Sequence, residues 1–132
     1  MLLHYEEVEI LRRRARVLWE SGEYLFKKGE YDIASFNFEQ AVQLELKAIL
    51  LEYTGQKLKT HSIRLLLEAL GEAFGKEEKV RKFIREHRND IKALEDAYID
   101  TRYEPVVYKD YDAEAIKAAA ESVLRFARSL VV

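Results

Sequence analysis

The spacing of apolar residues along the chain predicts α-helices for nearly all of its length. In the first predicted helix, residues 3–28, apolar positions recur at steps of three and four and form one stripe, made of Val8, Leu11, Ala15, Leu18, Gly22 and Leu25. A glycine in such a stripe lowers helix propensity, which is acceptable where another helix must approach closely. We therefore expect Gly22 to lie against a neighbouring helix and Gly29 to end the first helix.

The second predicted helix, residues 32–53 with Asp32 as its N-cap, is apolar on two nearly opposite sides. One side carries Ala34, Phe38, Ala41, Val42 and Ile49, and the other carries Ile33, Phe36, Leu44 and Leu51. A helix of this kind is buried between neighbours or shared with another subunit. Glu45 falls within the first apolar set, where a carboxylate without a partner would cost several kcal/mol.

The rest of the chain continues the helical pattern. Thr60 or Ser62 could cap a third helix, and residues 76–100 form one helix or two helices broken near His87. Asp112 is expected to cap a last amphipathic helix. No strand pattern of useful length occurs. The predicted fold class is all-α, an antiparallel up-and-down bundle of four to five helices.

Length and composition limit the classes of function. The chain suits one domain spanning residues 1–132, and 48% hydrophobic residues are enough to form its core. A formal net charge of −2 argues against a general DNA-binding or membrane-binding surface. No apolar run approaches the roughly 20 residues of a membrane-spanning helix and no signal peptide is visible, so we expect a cytoplasmic protein. Many Lys, Arg and Glu residues without cysteine would suit a thermophile.

The sequence shows no pattern typical of a metal site or a cofactor site. His4, His61 and His87 are scattered, and no two of them have the spacing of metal ligands on one helix face. Glycine-rich phosphate loops and nucleophile elbows are absent. The basic run RRRAR at residues 12–16 can pair with Glu9, which favours a solvated, salt-bridged face. We expect neither a metal nor a cofactor.

The segment YIDTRYEPVVYKDYD, residues 98–112, must contain a loop, because Pro105 keeps the residue before it out of helical geometry. Four tyrosines and one arginine are concentrated in it: Tyr98, Arg102, Tyr103, Tyr108 and Tyr111. Aromatic rings with an arginine form a platform for a nucleobase and its phosphate. The alternative is that the tyrosines pin the loop over the core through ring packing and hydroxyl bonds.

Three motifs, taken in order, resemble the HEPN domain family, whose name abbreviates higher eukaryotes and prokaryotes nucleotide-binding. They are GEYDIASFNFEQAVQLELKAIL, THSIRLLLEAL and YIDTRYEP, followed by a closing amphipathic helix, and they cover about residues 8–130. The resemblance implies a bundle of four or five helices that commonly dimerises. Some members are ribonucleases, often toxins, that use an arginine and a histidine from an Arg-x4-6-His motif. Others accompany a minimal nucleotidyltransferase or bind nucleotides without cleaving RNA.

Arg102 best matches the arginine of that motif, but the histidine is missing. The residues at the histidine's place are Val107, Tyr108 and Lys109, and RNA cleavage needs a group that moves a proton near neutral pH. The resemblance therefore implies a homodimeric protein without ribonuclease activity of its own. It would bind a nucleotide or assist a separately encoded minimal nucleotidyltransferase, with Arg102, Tyr103 and Tyr108 as the nucleotide- or partner-binding residues. The alternatives are a metal-independent ribonuclease toxin and a helical interaction module without a ligand.

The same loop offers a partner for Glu45. Arg102 stands where the loop should lie over the bundle, so an ion pair between Arg102 and Glu45 is one expectation. The alternative is that Glu45 faces a partly hydrated groove at a dimer seam.

Overall fold

A computed structural model of the protein describes residues 4–131, which form six α-helices. The helices are α1 (His4–Lys27), α2 (Tyr31–Thr54), α3 (Ile63–Phe74), α4 (Glu77–Glu86), α5 (Arg88–Tyr103) and α6 (Asp110–Leu130). The all-α helical fold is confirmed. The structure has six helices rather than the expected four to five, because α4 and α5 are separate. The predicted start of the first helix at residue 3 lies outside the described residues. None of the described helices is long and apolar enough to cross a membrane.

α1 and α2 form an antiparallel hairpin that reverses at Gly29. This glycine has a φ of +82°, a left-handed conformation that glycine adopts without strain. Aromatic residues of the two helices contact each other near the turn and again further from it. Phe26 packs edge-on against Tyr31 with ring centres 5.4 Å apart, and further along Trp19 packs against Phe38 at 4.8 Å.

Gly22 lies where α1 and α2 come close together. A Cβ added to Gly22 would stand 2.8 Å from Cε1 of Phe38, and Phe38 is fully buried. The expected close approach of a helix at Gly22 is confirmed. Any side chain at this position would overlap the phenyl ring.

α2 is the central helix, and it packs against α1, α3, α5 and α6. Its buried residues occur on nearly every side: Ala34, Ser35, Asn37, Phe38, Glu39, Ala41, Val42, Gln43, Leu46, Ala48, Ile49, Leu50 and Leu51. The expectation that α2 is buried between neighbours is therefore confirmed. These neighbours belong to the same chain, so covering α2 does not require a second subunit.

The helix ends follow local hydrogen-bonding groups. Ser62 caps α3, since its hydroxyl accepts a hydrogen bond from a backbone N–H three residues further on. Asp112 lies inside the first turn of α6, where its carboxylate accepts the backbone N–H of Lys109 at 2.8 Å. The N-cap of α2 is Glu30 rather than Asp32. The N-cap of α6 is likewise Lys109 rather than Asp112, so the sequence patterns located the helix starts to within about three residues.

His87 separates α4 from α5, as expected for a break in that region. Its φ of −114° and ψ of 28° depart from helical values. The His87 ring stacks on Phe83 with ring centres 4.1 Å apart, and Nδ1 lies 3.1 Å from the Phe83 carbonyl oxygen. The side chain thereby interacts with the end of α4, and α5 begins at Arg88.

Candidate functional site

Arg102 lies in the last turn of α5, and its guanidinium contacts two tyrosine rings. The guanidinium carbon is 4.9 Å from the ring centre of Tyr98 and 5.2 Å from that of Tyr103. Nη1 donates a hydrogen bond of 2.6 Å to the Tyr98 hydroxyl. Tyr98 is buried, whereas Arg102 and Tyr103 are exposed, Tyr103 by 62%. Cation–π attraction and the hydrogen bond therefore fix a guanidinium that is still open to solvent.

His61 reaches the same tyrosine from the link between α2 and α3. Its ring stacks on Tyr98 with centres 4.5 Å apart and planes inclined by 23°. His61 Nε2 lies 3.2 Å from the Tyr98 hydroxyl. Because this hydroxyl accepts from Arg102, its own proton is available to a neutral imidazole nitrogen. We call His61, Tyr98, Arg102 and Tyr103 the Tyr98 cluster.

Sequence reasoning missed His61 and the central position of Tyr98. The two residues are 37 positions apart along the chain, and no motif connects them. The fold brings them together because the start of α3 is fastened to α5. There the Ser62 hydroxyl donates to Glu95 Oε2 at 3.0 Å, one turn before Tyr98. The cap expected at Ser62 lay close to this junction, and the motifs THSIRLLLEAL and YIDTRYEP contain His61 and Tyr98, but none of these signals shows that the two residues meet.

Tyr108, the third predicted site residue, holds the loop against α5. Its hydroxyl donates a hydrogen bond of 3.3 Å to Asp100 Oδ2, and its ring packs on the core. Burial raises the pKa of Tyr108 well above its usual range, and the negative charge of Asp100 raises it further. The alternative role proposed for the loop tyrosines, pinning the loop, therefore describes Tyr108. The structure places its hydroxyl on Asp100 rather than on Arg102.

Glu39 is the fully buried carboxylate of α2. Its two oxygens accept hydrogen bonds from the side-chain amides of Gln40, at 2.8 Å, and Gln43. Burial raises the pKa of Glu39 to about 7, and the nearby negative charge of Glu95 adds to this increase. The hydrogen bonds from the two amides act in the opposite direction and lower the pKa. No three His, Asp, Glu or Cys residues in the described part of the chain are arranged to hold a metal ion.

Glu45 is largely covered and pairs with arginines of α1 and α6. Its Oε1 lies 3.8 Å from Nε of Arg12 and 4.0 Å from Nε of Arg128, and its side chain is 14% exposed. The expected pairing of Glu45 with Arg102 is wrong, because Glu45 faces α1 and α6 whereas Arg102 bonds to Tyr98 within α5. Glu45 does face a groove, with a volume of about 690 Å³. That two subunits meet there stays a prediction.

Comparison with known proteins agrees with this architecture. The sequence pattern of the HEPN domain matches residues 8–130. The crystal structure of TT1696 from Thermus thermophilus is similar to this fold, with a TM-score of 0.74 and 27% sequence identity over 94% of this chain and 98% of that chain. No curated protein matches the sequence. These findings support a nucleotide-binding or ribonuclease-like helical domain, and the chain belongs to the HEPN domain family.

Proposed function

We propose that this HEPN domain binds a nucleotide at Arg102 and Tyr103 without cleaving RNA, and that it acts with a separately encoded minimal nucleotidyltransferase. The observation that carries the proposal is the fixed but solvent-exposed guanidinium of Arg102 beside the exposed ring of Tyr103. A homodimer is part of the same proposal.

The chemistry of a nucleotide suits these two side chains. A guanidinium has five N–H donors, and Arg102 uses one of them on Tyr98, so others are available for phosphate oxygens. The ring of Tyr103 can stack on a base, which contributes about 1–3 kcal/mol. Carboxylates at Asp100 and Glu104 lie close by in sequence and repel phosphate. We therefore expect binding of a lone nucleotide to be micromolar or weaker.

The absence of cleavage is supported by the residues that follow Arg102. Val107 and Lys109 flank Tyr108, and none of the three is a base at neutral pH. The raised pKa of Tyr108 further disfavours its phenolate. In the role of an accessory protein, the Asp and Glu residues of the loop would attract a partner surface that offers arginines.

Calorimetry with ATP tests this proposal. Wild-type protein should bind in the micromolar range or more weakly, and Arg102→Ala should lower the affinity at least about tenfold through loss of charge-assisted hydrogen bonds. Arg88→Ala removes an exposed arginine at the other end of α5 and serves as the matched control, with no change expected. An Arg102→Ala isotherm identical to that of wild type contradicts a site at Arg102. If ATP does not bind below millimolar concentration but the cognate nucleotidyltransferase does, the loop is a docking surface and the nucleotide belongs to the partner.

A second candidate function, a ribonuclease, is favoured by one observation. The imidazole of His61 lies 3.2 Å from the hydroxyl to which Arg102 donates. An arginine and a histidine near one another can stabilise a phosphate and move a proton. The Tyr98 cluster therefore contains both residue types that the family's ribonucleases use, although the histidine comes from a different segment.

A further inference from the structure

A groove lies between α1 and α6 on the side of the molecule where both helices pack on α2. The two helices run in opposite directions, and ion pairs connect them at both ends of the groove. At one end Lys117 Nζ lies 3.1 Å from Glu23 Oε2. At the other end Glu45 lies between Arg12 and Arg128, at 3.8 Å and 4.0 Å. The volume of about 690 Å³ is in the range of small-ligand sites, roughly 300–1,000 Å³.

The lining of this groove combines one large aromatic ring with arginines. Trp19 packs against Phe38 in the core, and its partly exposed indole lines the groove. An indole offers a flat, polarisable surface on which a base can stack. The floor beside it is made of small or aliphatic buried side chains, Ala15, Ala41 and Leu124.

The four arginines of the groove fall into two pairs with different partners. Arg12 and Arg128, at one end, already interact with Glu45, and Arg12 Nη2 also lies 2.8 Å from Glu52 Oε1. Arg16 and Arg125, in the middle, form no ion pair with any residue of the described range 4–131. Both middle arginines are exposed, and they stand on opposite walls of the groove. Their guanidiniums are therefore available to an anion that enters between the helices.

We propose that this groove is a second nucleotide-binding site, with the base on Trp19 and the phosphates between Arg16 and Arg125. The proposal goes beyond the function proposed above, which concerns the Tyr98 cluster. Two acidic residues, Glu20 and Glu121, also line the groove. Their repulsion of phosphate weakens binding, and four arginines against three glutamates leave the lining slightly positive.

The ion pairs beside the two ends of the groove favour a single nucleotide over a continuous nucleic-acid strand. A strand would have to pass the ion pair of Lys117 and Glu23 at one end and the arginines held by Glu45 at the other. A mononucleotide needs neither pair to open. The chemical class inferred here is therefore a base with a phosphate chain.

Trp19 is the single tryptophan of the chain, so its fluorescence reports directly on the groove. ATP should quench this fluorescence saturably in wild-type protein. The double variant Arg16→Ala and Arg125→Ala should weaken the apparent affinity at least about tenfold, because the charge-assisted bonds to phosphate are lost. Arg102→Ala should leave the titration unchanged, which distinguishes this site from the Tyr98 cluster. All three substituted arginines are exposed, and a thermal melt by circular dichroism confirms folding of each variant.

A variant that is expected to strengthen ATP binding provides a second test. Glu121→Gln removes a negative charge beside the proposed phosphate position and should tighten ATP binding, as seen in the same fluorescence titration. Tripolyphosphate without a base and adenosine without phosphate should both bind more weakly than ATP. The proposal is overturned if ATP gives no saturable quenching, if the double arginine variant titrates like wild type, or if Arg102→Ala abolishes the signal.

Discussion

The imidazole of His61 and the phenol of Tyr98 lie nearly face to face, with ring centres 4.5 Å apart and Nε2 3.2 Å from the hydroxyl. Arg102 donates a 2.6 Å hydrogen bond to the same hydroxyl. Tyr98 thus connects an arginine and a histidine that are far apart in sequence. A histidine therefore lies near Arg102 in space, although no histidine follows Arg102 in the sequence motif.

We nevertheless expect no ribonuclease activity. Nε2 of His61 is engaged by the Tyr98 hydroxyl, and no histidine follows Arg102 in the loop. Purified protein incubated with mixed single-stranded RNA should leave the RNA intact on a denaturing gel. Cleavage that disappears in both His61→Ala and Arg102→Ala would contradict this prediction and support the ribonuclease candidate.

A methyl group at Gly22 should destabilise the hairpin of α1 and α2. The added Cβ would lie 2.8 Å from a ring carbon of the buried Phe38. Overpacking of this kind costs about 1–3 kcal/mol, against a gain of about 1 kcal/mol in helix propensity. Urea denaturation of Gly22→Ala should therefore show a lower free energy of unfolding than wild type. Ser21→Ala in the same turn is the control, and an equal or higher stability of Gly22→Ala would show that Phe38 moves aside without cost.

The fold could be predicted from the sequence because helical apolar spacing recurs along most of the chain, although α2 carries apolar residues on more than one side. The stripe through Gly22 and the apolar faces of α2 both correspond to real contacts. The inference from α2 to a second subunit was weaker. Apolar residues on two sides require cover, but the sequence does not state which helices provide it, and here α1, α3, α5 and α6 do so within one chain.

The candidate site could be predicted only in part. Arg102 and Tyr103 could be predicted because they are neighbours in one segment of the sequence. The position of His61 beside Tyr98 could not, because it depends on the packing of the start of α3 against α5. The predicted ion pair between Glu45 and Arg102 was wrong for a related reason. Helical periodicity shows that Glu45 shares a face with apolar residues, but the arginines that reach it belong to α1 and α6 and follow from tertiary packing.

Removal of the Tyr108 hydroxyl should loosen the loop between α5 and α6. Tyr108→Phe keeps the ring in the core but loses the bond to Asp100, worth about 1 kcal/mol. Thermal denaturation should detect the loss. Tyr103→Phe is the matched control, because Tyr103 is 62% exposed, and its change should stay within about 0.5 kcal/mol. Equal effects of the two substitutions would show that Tyr108 does not pin the loop.

A homodimer is expected at micromolar concentration. The apolar faces of α2 give it little support, since they are largely covered within the chain, although Ile33 is 42% exposed. Support comes instead from exposed apolar side chains on α5 and the loop after it, including Ile99 at 47%, Val106 at 45% and Val107 at 77%. Light scattering should give twice the chain mass of 15.5 kDa, and Val107→Lys should shift the protein towards monomer. A monomeric wild type at this concentration contradicts the prediction.

Glu39 should make the stability of the protein depend on pH. Burial raises its pKa from 4.5 to about 7, so the folded state holds this proton over a range in which the unfolded chain has released it. The free energy of unfolding therefore falls as pH rises from about 4.5 to about 7, and it levels off above that range. A pKa shift of this size corresponds to at most about 3 kcal/mol.

Glu39→Gln separates this contribution from the other titrating groups. The neutral amide has nearly the same shape and can exchange hydrogen bonds with Gln40 and Gln43 after rotation of their amides. Urea denaturation at pH 5 and at pH 8 should therefore show a larger loss of stability for wild type than for the variant, by about 2–3 kcal/mol. Above pH 7 the variant should be the more stable protein, because it buries no charge. Parallel pH profiles of the two proteins would mean that Glu39 stays ionised in the folded state and that its two amide donors outweigh burial.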